Sequence, residues 1–256
     1  MPCLRKLNLR DSFKLDRLPY LPSLKEFRIY DLESETLPDG GWERLSLENL
    51  CISRCHKLES LPEGLGYLKK LKSLSLETLQ IYSCEKLESL PKGLGNLKKL
   101  KSLTIQDLKM LTHLPDSLGQ LESLETIKIY FCHKLESLPE GLGQLKKLKS
   151  LGIFSLKMLT HLPDSLGQLE LLETLRIDSC EKLESLPHSF GQLEVLSWLQ
   201  ISACNALGSL PHGLQNLSHL QMLRIYNCPL LSERCKRKGG ADWSKISHIP
   251  NIYIDA

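Results

Sequence analysis

Prolines fall at Pro91, Pro115, Pro139, Pro163, Pro187 and Pro211, each 24 residues after the last and each preceded by leucine. A fixed period constrains the chain more than any local motif, because every residue inside it is first a repeat position and only then a chemical group. One unit reads LETIKIYFCHKLESLPEGLGQLKK, with apolar residues at Leu124, Ile127, Ile129, Cys132, Leu135, Leu138, Leu142 and Leu145. Its LxxLxLxxC segment alternates like a half-buried strand. The spacing then loosens into a proline-led turn and a short helical or extended stretch. One coil cannot bury its leucines, but stacked coils share a continuous core. The expected architecture is an α/β repeat solenoid, a horseshoe with a parallel sheet on its concave face and mostly irregular or short helical segments on its convex face.

This is the pattern of a leucine-rich repeat. Strand starts set at Leu4, Leu24, Leu47, Leu76, Leu100, Leu124, Leu148, Leu172, Leu196 and Leu220 give ten coils over residues 1–228. At roughly 4.8 Å per strand the concave face runs on the order of 45 Å. The coils beginning at Leu100 and Leu148 carry leucine where their neighbours carry cysteine, so the unit of duplication is two coils. Pro62 and Pro91 are 29 residues apart, which predicts an irregular or bulged coil near Leu71 to Leu76. In the tail, Ile249, Ile252 and Ile254 restore strand spacing, so residues 229–256 are read as a capping segment. Repeat spacing begins already at Leu4, and an open edge exposes core leucines unless something covers it. The chain therefore reads as the C-terminal part of something longer, or as a module with an N-terminal partner.

The residue chemistry narrows the function by exclusion. Six cysteines, Cys55, Cys84, Cys132, Cys180, Cys204 and Cys228, share one inward repeat position, which suits a small, weakly polar core ladder. His56 and His133 follow their cysteines into the loop instead of converging on a zinc ion, so no metal is expected. Nine cysteines and no secretion signal point away from disulfides and toward a reducing compartment. Cys51 lies outside the ladder and is expected on the concave face. The element EGLGQLKK does not match the phosphate loop GxxxxGK[ST], and no nucleophile, base and orienter converge; neither a cofactor nor catalysis is expected. The net charge of +3 names no nucleic-acid or membrane partner, and no run reaches the apolar length of a membrane helix. Lys101, Glu125, Lys149 and Glu173 alternate in sign along one column, so the repeated LKKLK lysines are expected to pair with neighbouring coils. Arg234, Lys236, Arg237 and Lys238 of ERCKRK are read as a solvated loop.

Variation is then more informative than repetition. Outward positions late in the strands give Tyr30, Tyr82, Tyr130, Phe131, Phe154 and Tyr226, with Trp198 at the third position of its coil. The central column adds Arg28, Lys128, Arg176 and Arg224. Exposed aromatic rings with arginine are the usual anchors of protein interfaces, so these eleven residues form the expected ligand surface. The competing expectation is that the rings simply pack on one another as ladders.

The repeat LxxLxIxxCxxLxxLPxxLGxLxxL, together with the tail CPLLSERCKRKGGADWSKISHIPNIYID, resembles the C-terminal leucine-rich repeat domain of plant intracellular nucleotide-binding disease-resistance proteins of the coiled-coil class. The repeat carries the resemblance along the whole chain, and the tail from Cys228 to Asp255 is its specific part. The resemblance implies a non-catalytic module that senses a pathogen effector or a guarded host protein and restrains an adjacent nucleotide-binding domain. It implies an address in the cytoplasm, or shared with the nucleus. By repeat position, Arg5, Lys6 and Arg10 of the first coils would face that domain. The sequence itself contains neither a coiled coil nor a GxxxxGK[ST] loop. Two other readings stand beside this one: a stand-alone or consensus-engineered repeat scaffold without a natural ligand, and a receptor ectodomain. The single glycosylation sequon, Asn216-Leu217-Ser218, speaks against the ectodomain.

Overall fold

A computed structural model describes residues 3–10, 18, 20–68 and 76–255. Eleven strands form one parallel sheet in chain order: β1 (Lys6–Arg10), β2 (Glu26–Tyr30), β3 (Asn49–Ser53), β4 (Thr78–Tyr82), β5 (Ser102–Gln106), β6 (Thr126–Tyr130), β7 (Ser150–Phe154), β8 (Thr174–Asp178), β9 (Trp198–Ser202), β10 (Met222–Tyr226) and β11 (Asn251–Ile254). The register keeps equivalent repeat positions side by side, as in Thr126↔Ser150, Lys128↔Gly152 and Tyr130↔Phe154. The sheet stays open, so the architecture is the expected leucine-rich repeat solenoid. Strands begin two residues after the leucines that open each unit. Leu124 occupies the corner before β6, and its N–H donates to Leu121 O. The predicted irregularity near Leu71 to Leu76 falls on 71–75, outside the described residues; β3 and β4 pair directly across the junction.

Each strand turns its second and fourth residues inward and its first, third and fifth outward, which follows from the two-residue period of a pleated strand. Ile127 and Ile129 of β6 are fully covered, as are the corner residues Leu124, Cys132 and Leu135. In β1, at the end of the stack, Leu7 and Leu9 are only partly covered. On the far side of the coils that begin at Leu47 through Leu196 the proline leads into a 3-10 turn, for example Asp116–Gln120 and Glu140–Gln144. Glycine lets these turns approach closely: a Cβ on Gly119 would lie 2.0 Å from the carbonyl oxygen of Gly141.

The residue after each of β2 to β10 has a positive φ although none is glycine: Asp31, Arg54, Ser83, Asp107, Phe131, Ser155, Ser179, Ala203 and Asn227 lie between 49° and 57°. This left-handed step costs about 1–2 kcal/mol for an L-residue. From Asp31 to Ala203 it aims the N–H at the last strand carbonyl of the next coil, as in Phe131 N–H to Phe154 O at 2.9 Å, adding a rung to the ladder; the Asn227 N–H donates instead to the Asp255 carboxylate at 2.8 and 2.9 Å. It also turns the next side chain inward. The Cys132 thiol then donates to Tyr130 O at 3.5 Å, and the other five ladder cysteines do the same to the residue two before them. A thiol fits this corner because it is small, apolar enough to bury, and still able to meet a carbonyl. Burial pushes the Cys132 thiol up to about 11, so it stays protonated. Leu108 and Leu156 fill the same corner in the leucine-type coils.

The tail forms helix α1 (Pro229–Arg234), helix α2 (Trp243–Ile246) and β11, which extends the sheet from β10. Its anchor is Asp242, which is fully buried. One carboxylate oxygen accepts from Arg234 Nη2 at 3.0 Å and lies 2.8 Å from Lys245 Nζ. The other accepts from Arg234 Nε and from the Leu210 N–H, each at 3.0 Å. Lys245 Nζ donates in turn to Leu210 O at 2.6 Å. The cap thus grips both backbone groups of one residue in the last regular coil. Burial alone would raise the Asp242 carboxyl; the donors from Arg234, Lys245 and Leu210 outweigh it and hold the group at about 2. Arg234 is therefore a structural ligand of Asp242, which corrects its reading as part of a solvated loop.

Candidate functional site

The outward residues of the sheet form the surface on which the predicted ligand residues were placed, and the structure brings them together in three groups. The first lies at β1–β4. Arg28, Tyr30 and Tyr82 line a hollow of about 410 Å³ with Asn8, Cys51, Ser53, Arg54 and Gln80. Tyr30 sits between two guanidinium groups, Arg10 at 5.9 Å and Arg54 at 5.7 Å from its ring centre. Arg54 is fixed by Asp31 through bonds of 2.7 and 2.8 Å. Cys51 is on this face as expected but half-covered, and burial raises its thiol pKa against the opposing pull of Arg28. Burial likewise raises the Tyr82 phenol.

The second group is the pair Tyr130 and Phe154, whose rings stack at 4.5 Å and 12°. Here the rings do pack on one another as a ladder. Phe154 also folds back over Gly152, where a Cβ would lie 2.5 Å from its ring. Phe131 is not a strand residue. It occupies the left-handed step after β6, 44% exposed, with its ring set edgewise to His133 at 6.3 Å. A bulky side chain is an uncommon choice at positive φ, and neighbouring coils place Asp107 and Ser155 there.

The third group is a continuous stack at β8–β11. Arg176 lies 4.7 Å from the Trp198 ring centre and Arg224 5.2 Å from it; Arg224 is also 5.5 Å from Tyr253. Arginine planes stacked on indole gain cation–π attraction while their N–H edges remain available. Trp198 Nε1 and Arg224 Nε have no hydrogen-bond partner among the described residues. Tyr253 was not foreseen as part of this face, because it lies in the tail, outside the 24-residue register; its alternation with Ile252 and Ile254 was the available signal. Lys128 stands on the same face between β5 and β7, exposed. Tyr226 is half-covered at the end of β10.

The flanking charges behave as the alternation predicts: Lys101 pairs with Glu77 at 3.1 Å and Lys149 with Glu125 at 3.4 Å. Of the three first-coil cations, Lys6 contacts Glu26 at 2.9 Å and Arg10 contacts Asp31 at 3.4 Å, while Arg5 is exposed. Among the described residues no three His, Cys, Asp or Glu gather as a metal-binding group, and no helix is long and apolar enough to cross a membrane.

An open parallel sheet, one strand per coil, with a leucine core behind it and varied aromatic and basic side chains in front, defines a leucine-rich repeat solenoid, a fold that serves as a scaffold for protein interaction. The family model described as "Leucine-rich repeat region" matches residues 140–237. Among solved structures, the leucine-rich repeat domain of the type III effector XopL is 25% identical, with a TM-score of 0.76 over 88% of this chain and 77% of that one. A leucine-rich repeat protein of Leptospira interrogans is 25% identical, with a TM-score of 0.56 over 96% of this chain and 66% of that one. A chain of the Drosophila Toll–Spatzle complex shares the fold at 18% identity and a TM-score of 0.58, covering 87% of this chain and 33% of that one. No curated protein sequence matches the chain.

Proposed function

We propose that the chain is the recognition module of a plant intracellular immune receptor. It binds a pathogen effector or a guarded host protein over the solvent face of its sheet and restrains an adjacent nucleotide-binding domain through its first coils. The observation that carries the binding half is the set of outward rings and cations that the repeat does not require: the positions of Tyr130, Phe154, Arg176 and Arg224 hold Ser53, Gln106, Ser202, Gln80, Thr104 or Gln200 in other coils, and those of Phe131 and Trp198 hold Ser155 and Ser150. Rings and guanidinium groups presented on a rigid scaffold lose little entropy on binding and dominate interface energies. The receptor context rests on the tail from Cys228 to Asp255 and its resemblance.

The binding half is tested by replacing Tyr130, Phe131 and Arg176 together with alanine. Proximity labelling in plant cells should then lose proteins that the unaltered chain labels, with the melting temperature unchanged. Identical labelling by both would refute the surface. The receptor half is tested by reading the native transcript upstream of the Met1 codon. A frame continuing into a nucleotide-binding domain supports it, and a transcript that begins at Met1 sinks it in favour of a stand-alone scaffold.

A further inference from the structure

We infer that the partner seats an extended acidic segment on the middle column of the sheet, with its carboxylates addressing Lys128, Arg176 and Arg224 in turn. This deepens the reading that the sheet face is the interaction surface and rests on it. The third residue of each strand forms a column down the centre of that face. Its only charged members among the described strands are Arg28, Lys128, Arg176 and Arg224. Among the described residues no carboxylate pairs with Lys128, Arg176 or Arg224, and Arg28 reaches Glu26 only at 3.9 Å. The lysines beside the column are neutralised by Glu77 and Glu125. The uncompensated charge of the face is thus concentrated along its midline.

The spacing of that charge is regular. Lys128, Arg176 and Arg224 stand on β6, β8 and β10, every second strand, so their backbones are about 10 Å apart. A polyproline II segment returns its side chains to one direction every three residues, about 9.3 Å. Carboxylates at i, i+3 and i+6 of a chain crossing the strands would therefore meet the three cations in order. Trp198 holds Arg176 and Arg224 on its two sides, which leaves their N–H edges to meet a planar carboxylate. A nucleic-acid strand fits less well, because it spaces its charges more closely than the cations.

The test is selection of a random 16-residue peptide display library against the whole chain. Binding of the enriched peptides is then measured to the unaltered chain and to Lys128→Glu, Arg176→Glu and Arg224→Glu, each checked by its melting temperature. The expected result is enrichment of peptides with acidic residues at every third position, affinity falling about tenfold or more in each charge-reversed variant, and weakening at raised salt. Neutral or basic binders that are lost on Phe131→Ala would overturn the acidic partner while leaving the interaction face standing. Acidic binders that hold the reversed variants undiminished would overturn both for this surface. Tighter binding of a thymidine 16-mer than of any acidic peptide, or a library that yields no binder, would overturn the inference.

Discussion

Replacing Asp242 with asparagine isolates the contact that joins cap to solenoid. The carboxylate meets four donors and is held at about 2, against roughly 3.9 for an unfolded chain. At about 1.4 kcal/mol per pH unit, ionised Asp242 contributes roughly 2.5 kcal/mol to the folded cap. Because the folded value is the lower one, that contribution is complete above about pH 4 and lost as pH falls through about 2. Asparagine keeps the shape but removes the charge. Arg234 is 42% exposed and can turn to water, whereas Lys245, at 9%, is left as a buried ammonium without its counter-ion. Breaking a buried pair in this way costs about 3–5 kcal/mol.

In a repeat stack the loss is felt locally first. Hydrogen exchange at pH 7 should show the amides of Leu210 and residues 243–249 losing protection in Asp242→Asn, while those of β6 and β7 keep theirs. Adding Lys245→Met should recover part of the loss by removing the stranded charge. The variant should also lack the acid-induced loosening of the cap between about pH 4 and 2. A variant within about 1 kcal/mol of the parent, with unchanged exchange at Leu210, would refute the clamp.

Three further outcomes follow from the fold. Ala203 sits at φ 49°, so Ala203→Gly should stabilise the chain by about 0.5–1 kcal/mol and Ala203→Val destabilise it by about 1–2 kcal/mol in urea unfolding; the same sign for both would refute left-handed strain there. Gly119→Ala places a Cβ against the Gly141 carbonyl and should cost about 1–3 kcal/mol, measured by thermal melting; no change would mean the coils do not approach as described. With a thiol reagent at pH 8, Cys3 should react first and the half-covered Cys51 more slowly. Cys132 and Cys235, held up to about 11 and about 12 by burial, should wait for unfolding, and native labelling of either at the Cys51 rate would contradict their burial.

The repeat period by itself determined the solenoid, the inward cysteine column, the alternation of sign along Lys101, Glu125, Lys149 and Glu173, and the return of strand spacing in the tail at Ile249, Ile252 and Ile254. These are short-range consequences of a side-chain alternation that stacking merely multiplies. It also located the outward rings and arginines, because departures from a repeat are visible without coordinates. The left-handed step after β2 to β10 escaped notice, since Asp, Arg, Ser, Phe, Ala and Asn share no glycine signal; only the demand for one more rung to the next coil fixes that φ. Asp242 looked like an ordinary loop residue, and Arg234 like a solvated one. Their meeting with Lys245 and the Leu210 backbone joins residues some thirty positions apart outside the periodic register. The same holds for the Arg176, Trp198, Arg224 and Tyr253 stack: each residue type was readable in place, but which cation lies over which ring depends on side chains from four strands meeting on one face, a three-dimensional packing choice that no one-dimensional pattern carries.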